Sequence, residues 1–344
     1  MCQRILITGA SGFIGSFLVQ KALDSGYEVW AGVRATSNRG YLQDARIHFI
    51  ELDLQNKNVL KSQLEDYTRK NINGWNYIIH AAGATKGKDE SAFVNTNYQG
   101  TRNLIEILTE CNLKPIRFVF LSSFSVYGAI RQTPIQGNKD DLYAPISEND
   151  TAQPNTAYAK SKKMAEDYLS SQTNLDYVIM QPTGVYGPRE RDYFMLVKSI
   201  KGHTDFSVGF KPQRITFVYV KDLADAIFLA MVKGENRHRY IVSDGHTYNS
   251  SDFSNLIQQN LGIKTVLRIK APLFILKCVC LLGTWMSCLT GKMTALNNDK
   301  YNILKQRNWR CDISSIKDLG YKPQYDLEKG VKETITWYKE NNWI

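Results

Sequence analysis

Arg4-Ile5-Leu6-Ile7-Thr8-Gly9-Ala10-Ser11-Gly12-Phe13-Ile14-Gly15 decides the fold. Arg4–Thr8 reads as a buried strand. Gly12–Ser25 reads as a helix, with Phe13, Phe17, Leu18 and Leu23 on its apolar face. The turn between them spells T-G-x-x-G-x-x-G. Glycines let a backbone turn tightly and approach a pyrophosphate, and the helix that follows offers free N–H groups and the positive end of its dipole. At a first strand-to-helix turn this spacing is a dinucleotide-binding fingerprint carried by Gly9, Ser11, Gly12, Phe13, Ile14 and Gly15. The plainer alternative is a glycine-rich turn with no ligand.

Outward from the turn, strand-like runs alternate with helical ones. Glu28–Val33, His48–Leu52, Tyr77–His80, Arg117–Leu121 and Leu175–Met180 read as strands. Val59–Tyr67, Phe93–Leu108 and Thr156–Ser171 read as helices. That alternation predicts an α/β fold, a doubly wound parallel sheet of Rossmann type over residues 1–182. The pattern then becomes less regular. Residues 183–344 are expected to form a smaller substrate-binding lobe, with elements free to cross between the two. Its readable pieces are a strand at Thr216–Val220, a helix at Asp222–Val232, a strand at Tyr240–Ser243 and helices at Ser251–Asn260 and Leu327–Glu340.

The second strand ends at Arg34, where an NAD site carries an acid for the ribose 2′-hydroxyl. An arginine there suits the 2′-phosphate of NADP, or it is a plain surface residue. Asp53 and Leu54, at the end of the third strand, fall at the rim where an adenine would lie. Tyr158 and Lys162 stand at i and i+4 and share a helix face. An ammonium beside a phenol lowers its pKa toward neutrality, as acid–base work requires. Ser122 and Ser123 end the fifth strand, where ligand crevices form. They point to opposite sides, so one of them partners the tyrosine.

These pieces resemble the extended short-chain dehydrogenase/reductases, the NAD-dependent epimerase/dehydratase family. The matching stretches are TGASGFIG, His80-Ala81-Ala82-Gly83, Asn97 with Gly100-Thr101, SSFSVYG at 122–128, YAKSK at 158–162 and Gln181-Pro182-Thr183-Gly184-Val185-Tyr186-Gly187-Pro188. The resemblance implies that Tyr158 is the proton donor and acceptor, that Lys162 holds the nicotinamide ribose and tunes Tyr158, and that Ser123 is the catalytic serine. It also implies that Ala81, Ala82, Gly83, Asn97 and Ser122 meet the cofactor. Pro182, Gly184 and Val185 would flank the nicotinamide, and no metal is implied. The expected chemistry is hydride transfer at a secondary alcohol or ketone of a small-molecule substrate. The resemblance further implies a homodimer through helices 93–111 and 156–171. Arg214 precedes the 217–220 strand as in nucleotide-sugar members, but Thr216 replaces the acid expected there. The apolar run 271–290 instead resembles members similar to 3β-hydroxysteroid dehydrogenases and dihydroflavonol reductases. An epimerase or dehydratase of a nucleotide-linked sugar, and a non-catalytic dinucleotide-binding protein, stay as alternatives.

Composition bounds the rest. With 344 residues, 43% apolar and 22% charged, the chain is neither disordered nor fibrous. Its net charge is +10, and residues 261–310 carry +8 of it: nine basic residues against Asp299. Those nine are Lys264, Arg268, Lys270, Lys277, Lys292, Lys300, Lys305, Arg307 and Arg310. No nucleic-acid-binding motif accompanies them. The run 271–290 is long enough to span a bilayer, but Lys277, Gly283 and Thr284 interrupt it. A buried or substrate-lining helix is the simple reading, and an interfacial helix on anionic lipid the sharper one. Six cysteines without CxxC pairs and an N-terminus without a signal-peptide pattern lead us to expect a cytoplasmic protein, with peripheral membrane contact through 261–310.

Overall fold

The computed structural model describes residues 2–70, 74–137, 142–290 and 298–344, with backbone alone for 282–290. In chain order the elements are β1 (Arg4–Thr8), α1 (Phe13–Asp24), β2 (Glu28–Val33), β3 (Ile47–Glu51), α2 (Lys57–Lys70), β4 (Tyr77–His80) and α3 (Glu90–Phe93). Then come α4 (Gly100–Glu110), β5 (Arg117–Leu121), α5 (Ala157–Ser170), β6 (Tyr177–Pro182), β7 (Gly184–Tyr186), α6 (Asp192–Lys201), β8 (Thr204–Val208), β9 (Arg214–Ile215) and β10 (Phe217–Tyr219). The last are α7 (Val220–Lys233), β11 (His238–Val242), β12 (Tyr248–Asn249), α8 (Asp252–Leu261), β13 (Leu267–Ala271), α9 (Leu273–Thr290), α10 (Asn298–Lys305), α11 (Ser314–Asp318) and α12 (Leu327–Glu340).

Seven strands make one parallel sheet in the order β11-β6-β5-β4-β1-β2-β3. Its strands are apolar on both faces, as a covered parallel sheet requires. Ile5 and Ile7 of β1, with Val119 and Leu121 of β5, pack on one side under α1 and α7. Leu6, Phe118 and Phe120 pack on the other, with Leu60 and Leu64 of α2, Leu104 of α4 and Leu169 of α5. Strand order reverses between β1 and β4. A crevice opens there, beyond the carboxyl ends, where such sheets bind ligands.

The boundary expected at 182/183 is crossed twice. β11 returns to pair with β6 in the main sheet, Val242 opposite Pro182, and α7 packs on α1. The rest of the second half builds its own core, with Tyr186, Phe217, Phe253, Val331 and Tyr338 at its centre. Its late segment also ties down the long loop after β5. Asn308, fully buried, donates to the carbonyls of Arg131 at 3.0 Å and Ala144 at 2.9 Å.

Two expectations need correction. The helix read over 93–108 is not continuous: a π-helical turn, Val94–Gln99, separates α3 from α4. The strand read over 216–220 is only β10, Phe217–Tyr219: Thr216 leaves the strand, its hydroxyl donating to the Trp309 carbonyl at 2.7 Å, and Val220 already opens α7. The apolar run becomes α9, and among the described residues no helix is long and apolar enough to cross a membrane. Lys292 lies outside the described residues.

Candidate active site

The first glycine turn is built by backbone contact. Gly9 sits at φ +67°, and a Cβ on it would lie 2.7 Å from the Ala82 Cα. A Cβ on Gly15 would lie 2.1 Å from the Gly9 carbonyl oxygen. Side chains of any size would push the turn, α1 and the end of β4 apart. Gly12 caps α1 without a side-chain bond, and no acid stands in the first turn of that helix. By contrast, α5 is capped by Thr156, α3 by Asp89 and α12 by Asp326. The α1 terminus therefore keeps its N–H groups and dipole for an anion. These features fit the pyrophosphate of a dinucleotide.

The sheet brings the other predicted positions to the same edge. Arg34 follows β2 and is exposed, while Asp53 and Leu54 follow β3. Ala81, Ala82 and Gly83 follow β4, Ser122 and Ser123 follow β5, and Pro182, Gly184 and Val185 lie at β6 and β7. Some are already engaged. Asp53 accepts the Gln55 N–H at 3.1 Å, and the Leu54 carbonyl accepts from Asn103 at 2.8 Å. Arg39, by contrast, stacks on Phe49 at 4.6 Å with Glu51 3.7 Å away, which leaves Arg34 as the more available cation on that rim.

Thr156 caps α5 by accepting the Ala159 N–H at 3.1 Å, and so sets Tyr158 in the first turn. Ser123 faces the Tyr158 phenol, close enough to pull its pKa down. Ser123 in turn shares a 2.9 Å bond with Ser125. The two serines do point apart: Ser122 donates to the carboxylate of Glu166 on α5. Lys162 is buried, and its ammonium donates to the Leu121 carbonyl at 2.8 Å above the Phe120 ring. A Cβ on Gly83 would come within 3.1 Å of that nitrogen, so glycine there keeps the crevice open beside the lysine.

The electrostatics differ from the sequence expectation. Tyr158 is pushed up from 10, not down: burial dominates, and Ser123 only partly offsets it. The reason is that the Lys162 ammonium turns to the Leu121 carbonyl. Burial lowers Lys162 itself to about 8, against an opposing pull from Glu166. The resting arrangement is thus a neutral phenol beside a partly destabilised cation.

The sequence assigned no role to two groups behind this pair. Glu166, 1% exposed, accepts from Ser122 and from Gln181 Nε2 at 2.9 Å, and Gln181 accepts from the Tyr127 phenol at 2.9 Å. Burial raises its pKa. The available signal was spacing: Glu166 lies one turn beyond Lys162, on the buried face of α5. His80, fully buried, is held neutral, its pKa lowered by burial to about 3. Its bonds run one way. The Ala82 N–H donates to Thr8 Oγ1 at 3.3 Å, and Thr8 donates to His80 Nδ1 at 2.7 Å. His80 Nε2 donates to Thr101 Oγ1 at 2.9 Å, and Thr101 donates to the Asn97 carbonyl at 2.6 Å. Because Thr101 is a donor there, the imidazole proton must sit on Nε2. Asn97, in the π-helical turn, closes the network. Its Oδ1 accepts the Ala84 N–H at 2.7 Å and its Nδ2 donates to Ser161 at 2.9 Å. Ser161 donates to the Tyr158 carbonyl at 2.7 Å. Asn97 therefore joins the end of β4 to α5.

A model of the NAD dependent epimerase/dehydratase family matches residues 5–248. The sterol-4-alpha-carboxylate 3-dehydrogenase, decarboxylating, of Saccharomyces cerevisiae is 26% identical, over 98% of each chain. The UDP-glucose 4-epimerase of Vibrio cholerae is 26% identical, over 99% of this chain and 97% of its own. The structure of a dTDP-glucose 4,6-dehydratase from Bacillus anthracis, in complex with NAD, superimposes with a TM-score of 0.75 at 20% identity, over 99% and 98% of the two chains.

Proposed function

The chain belongs to the NAD dependent epimerase/dehydratase family, enzymes of the extended short-chain dehydrogenase/reductase type; on that premise we propose that it reduces or oxidises a secondary alcohol or ketone, with Ser123, Tyr158 and Lys162 at the reacting oxygen. The observation that carries this is the convergence of Ser123, at the carboxyl end of β5, on the Tyr158 phenol, with the buried Lys162 one turn along α5. The uncapped α1 terminus, Gly9, Gly15 and Ala81–Gly83 would hold a nicotinamide dinucleotide, with Arg34 toward the 2′-phosphate of NADP. Such a group, when bound, supplies or accepts the hydride.

The residues of the chain handle the oxygen. Ser123 positions it by hydrogen bonding. Tyr158 gives its proton to the oxygen in reduction and takes it back in oxidation. Desolvation favours the neutral phenol, so the resting site is set for donation. Lys162, still cationic near neutral pH, stabilises the phenolate that results. A hydrophobic substrate is supported by the likeness to the yeast sterol dehydrogenase.

The test is Tyr158→Phe. We expect turnover to fall about a thousandfold while NADPH and NADH binding, read by fluorescence, is kept. Unchanged turnover would overturn the assignment. A second reading, 4-epimerisation of a nucleotide-linked sugar, is favoured by the likeness to the Vibrio cholerae enzyme and by Arg214, which precedes the 217–219 strand on β9 and bonds Asn249 of β12. It predicts sugar-nucleotide conversion with no net consumption of dinucleotide.

A further inference from the structure

The segment from β8 to α9 presents apolar side chains that the described fold leaves uncovered. β8 and β13 pair in parallel, with Phe206 opposite Ile269. Alternate residues of a strand share a face. Phe206, Leu267 and Ile269 therefore line one side of this ribbon, 63%, 65% and 37% exposed. α9 continues the surface. Leu276 and Cys280, one turn apart, face inward toward α10. Phe274, Ile275, Val279 and Leu281 are 68%, 44%, 42% and 48% exposed. Single exposed apolar residues are ordinary, but a run of seven over one ribbon and its next helix is not.

The charges around this face indicate its occupant. Lys277 is exposed on α9 among these side chains and Lys264 is exposed just before β13, while Lys270 stands on the ribbon's other side. The acids are turned away: Asp205 is buried and 3.8 Å from Arg268, and Asp299 accepts the Ala157 N–H at 2.8 Å. A second copy of the chain would bring lysines against lysines. A surface of phosphates over hydrocarbon satisfies both features.

We infer that the β8–β13 ribbon and the first turns of α9 seat the protein on an anionic phospholipid membrane, apolar side chains entering the headgroup boundary and lysines lying against phosphates. The helix behind this face reaches the catalytic helix. Asp299 and Asn302 of α10 bond the Ala157 N–H and the Asn155 carbonyl, next to Tyr158. Under the proposed function this places the proton-handling tyrosine one short helix from a lipid-borne substrate.

The experiment is flotation of the full chain with phosphatidylcholine vesicles and with the same vesicles containing about a third phosphatidylglycerol. Binding to the anionic vesicles alone, weakened by salt, is the expected result. Lys264→Glu/Lys277→Glu should bind at least about a hundredfold more weakly, and Phe274→Ser/Ile275→Ser about tenfold more weakly. Both variants should melt with the wild type, and the salt dependence of the wild type tests the charge claim without them. The inference is overturned if the wild type ignores anionic vesicles at low salt or takes neutral ones equally well. It is also overturned if the face instead makes a dimer that Phe274→Ser/Ile275→Ser dissociates. Turnover of Tyr158→Phe does not enter this readout, so the two readings fail separately.

Discussion

The glycine turn at β1 and the apolar face at β8–α9 use close contact in opposite ways. In the first, backbone meets backbone: the space for a Cβ on Gly15 is taken by the Gly9 carbonyl, and that for one on Gly9 by Ala82. In the second, large side chains stand in water, with Phe274 and Leu267 about two-thirds exposed. The first region is shaped for a ligand and tolerates almost no added atom. The second is covered by none of the described residues, and the proposed membrane contact would account for it.

Substitutions should separate the regions by the size of their effects. The largest belongs to the turn. Gly15→Ala must move the backbone of Gly9 or α1, because the obstructing atoms are not a flexible side chain. We expect a loss of about 3 kcal/mol or more in denaturant unfolding, together with lost dinucleotide binding. A variant that melts and binds like the wild type would break the contrast.

The intermediate effect reports the cost of a working site. Lys162 has a lowered folded pKa, about 8 against 10.5 in an unfolded chain. Below pH 8 both states are protonated and folding bears the whole penalty of burying the charge. As pH rises through 10.5 both become neutral and the penalty disappears. Lys162→Met should therefore stabilise the protein by about 2 kcal/mol at pH 7, after allowance for the lost bond to the Leu121 carbonyl. That gain should shrink steadily between pH 8 and pH 10.5. Unfolding curves of both proteins across that range measure it, and a gain independent of pH would contradict the assignment. The smallest effect belongs to the outer face: Phe274→Ser should change stability by under about 0.5 kcal/mol. A larger loss by the same measurement would mean that Phe274 packs within the fold.

What was legible in the sequence follows the same division. β1, α1, β4 and α5 were readable because their signals are local: glycine spacing and alternating apolar residues. Leu327–Glu340 was readable from its apolar period and is α12. β8 and β13 were not. Thr204–Val208 and Leu267–Ala271 are each too short and mixed to signal a strand, and each exists only by pairing with the other. The site was legible in its outer members and hidden behind them. Tyr158, Lys162 and Ser123 stand in recognisable runs. His80 takes its role from Thr8 and Thr101, 72 and 21 residues away in the chain. Glu166 takes its role from Ser122 and Gln181. The Tyr158 pKa was misread because spacing places Lys162 near the phenol without saying where the ammonium points.

The row of bonds through His80 has a mechanical consequence. Each hydroxyl in it both gives and receives, and all point the same way. No single member can reverse without leaving two donors or two acceptors face to face. The amide of Ala82 at one end can only give and the carbonyl of Asn97 at the other can only receive, so the row holds in this one direction. Through Asn97 and Ser161 the same lattice grips the carbonyl of Tyr158. The glycine turn and α5 are thereby braced as one stiff frame, against which any ligand in the crevice would be the compliant part.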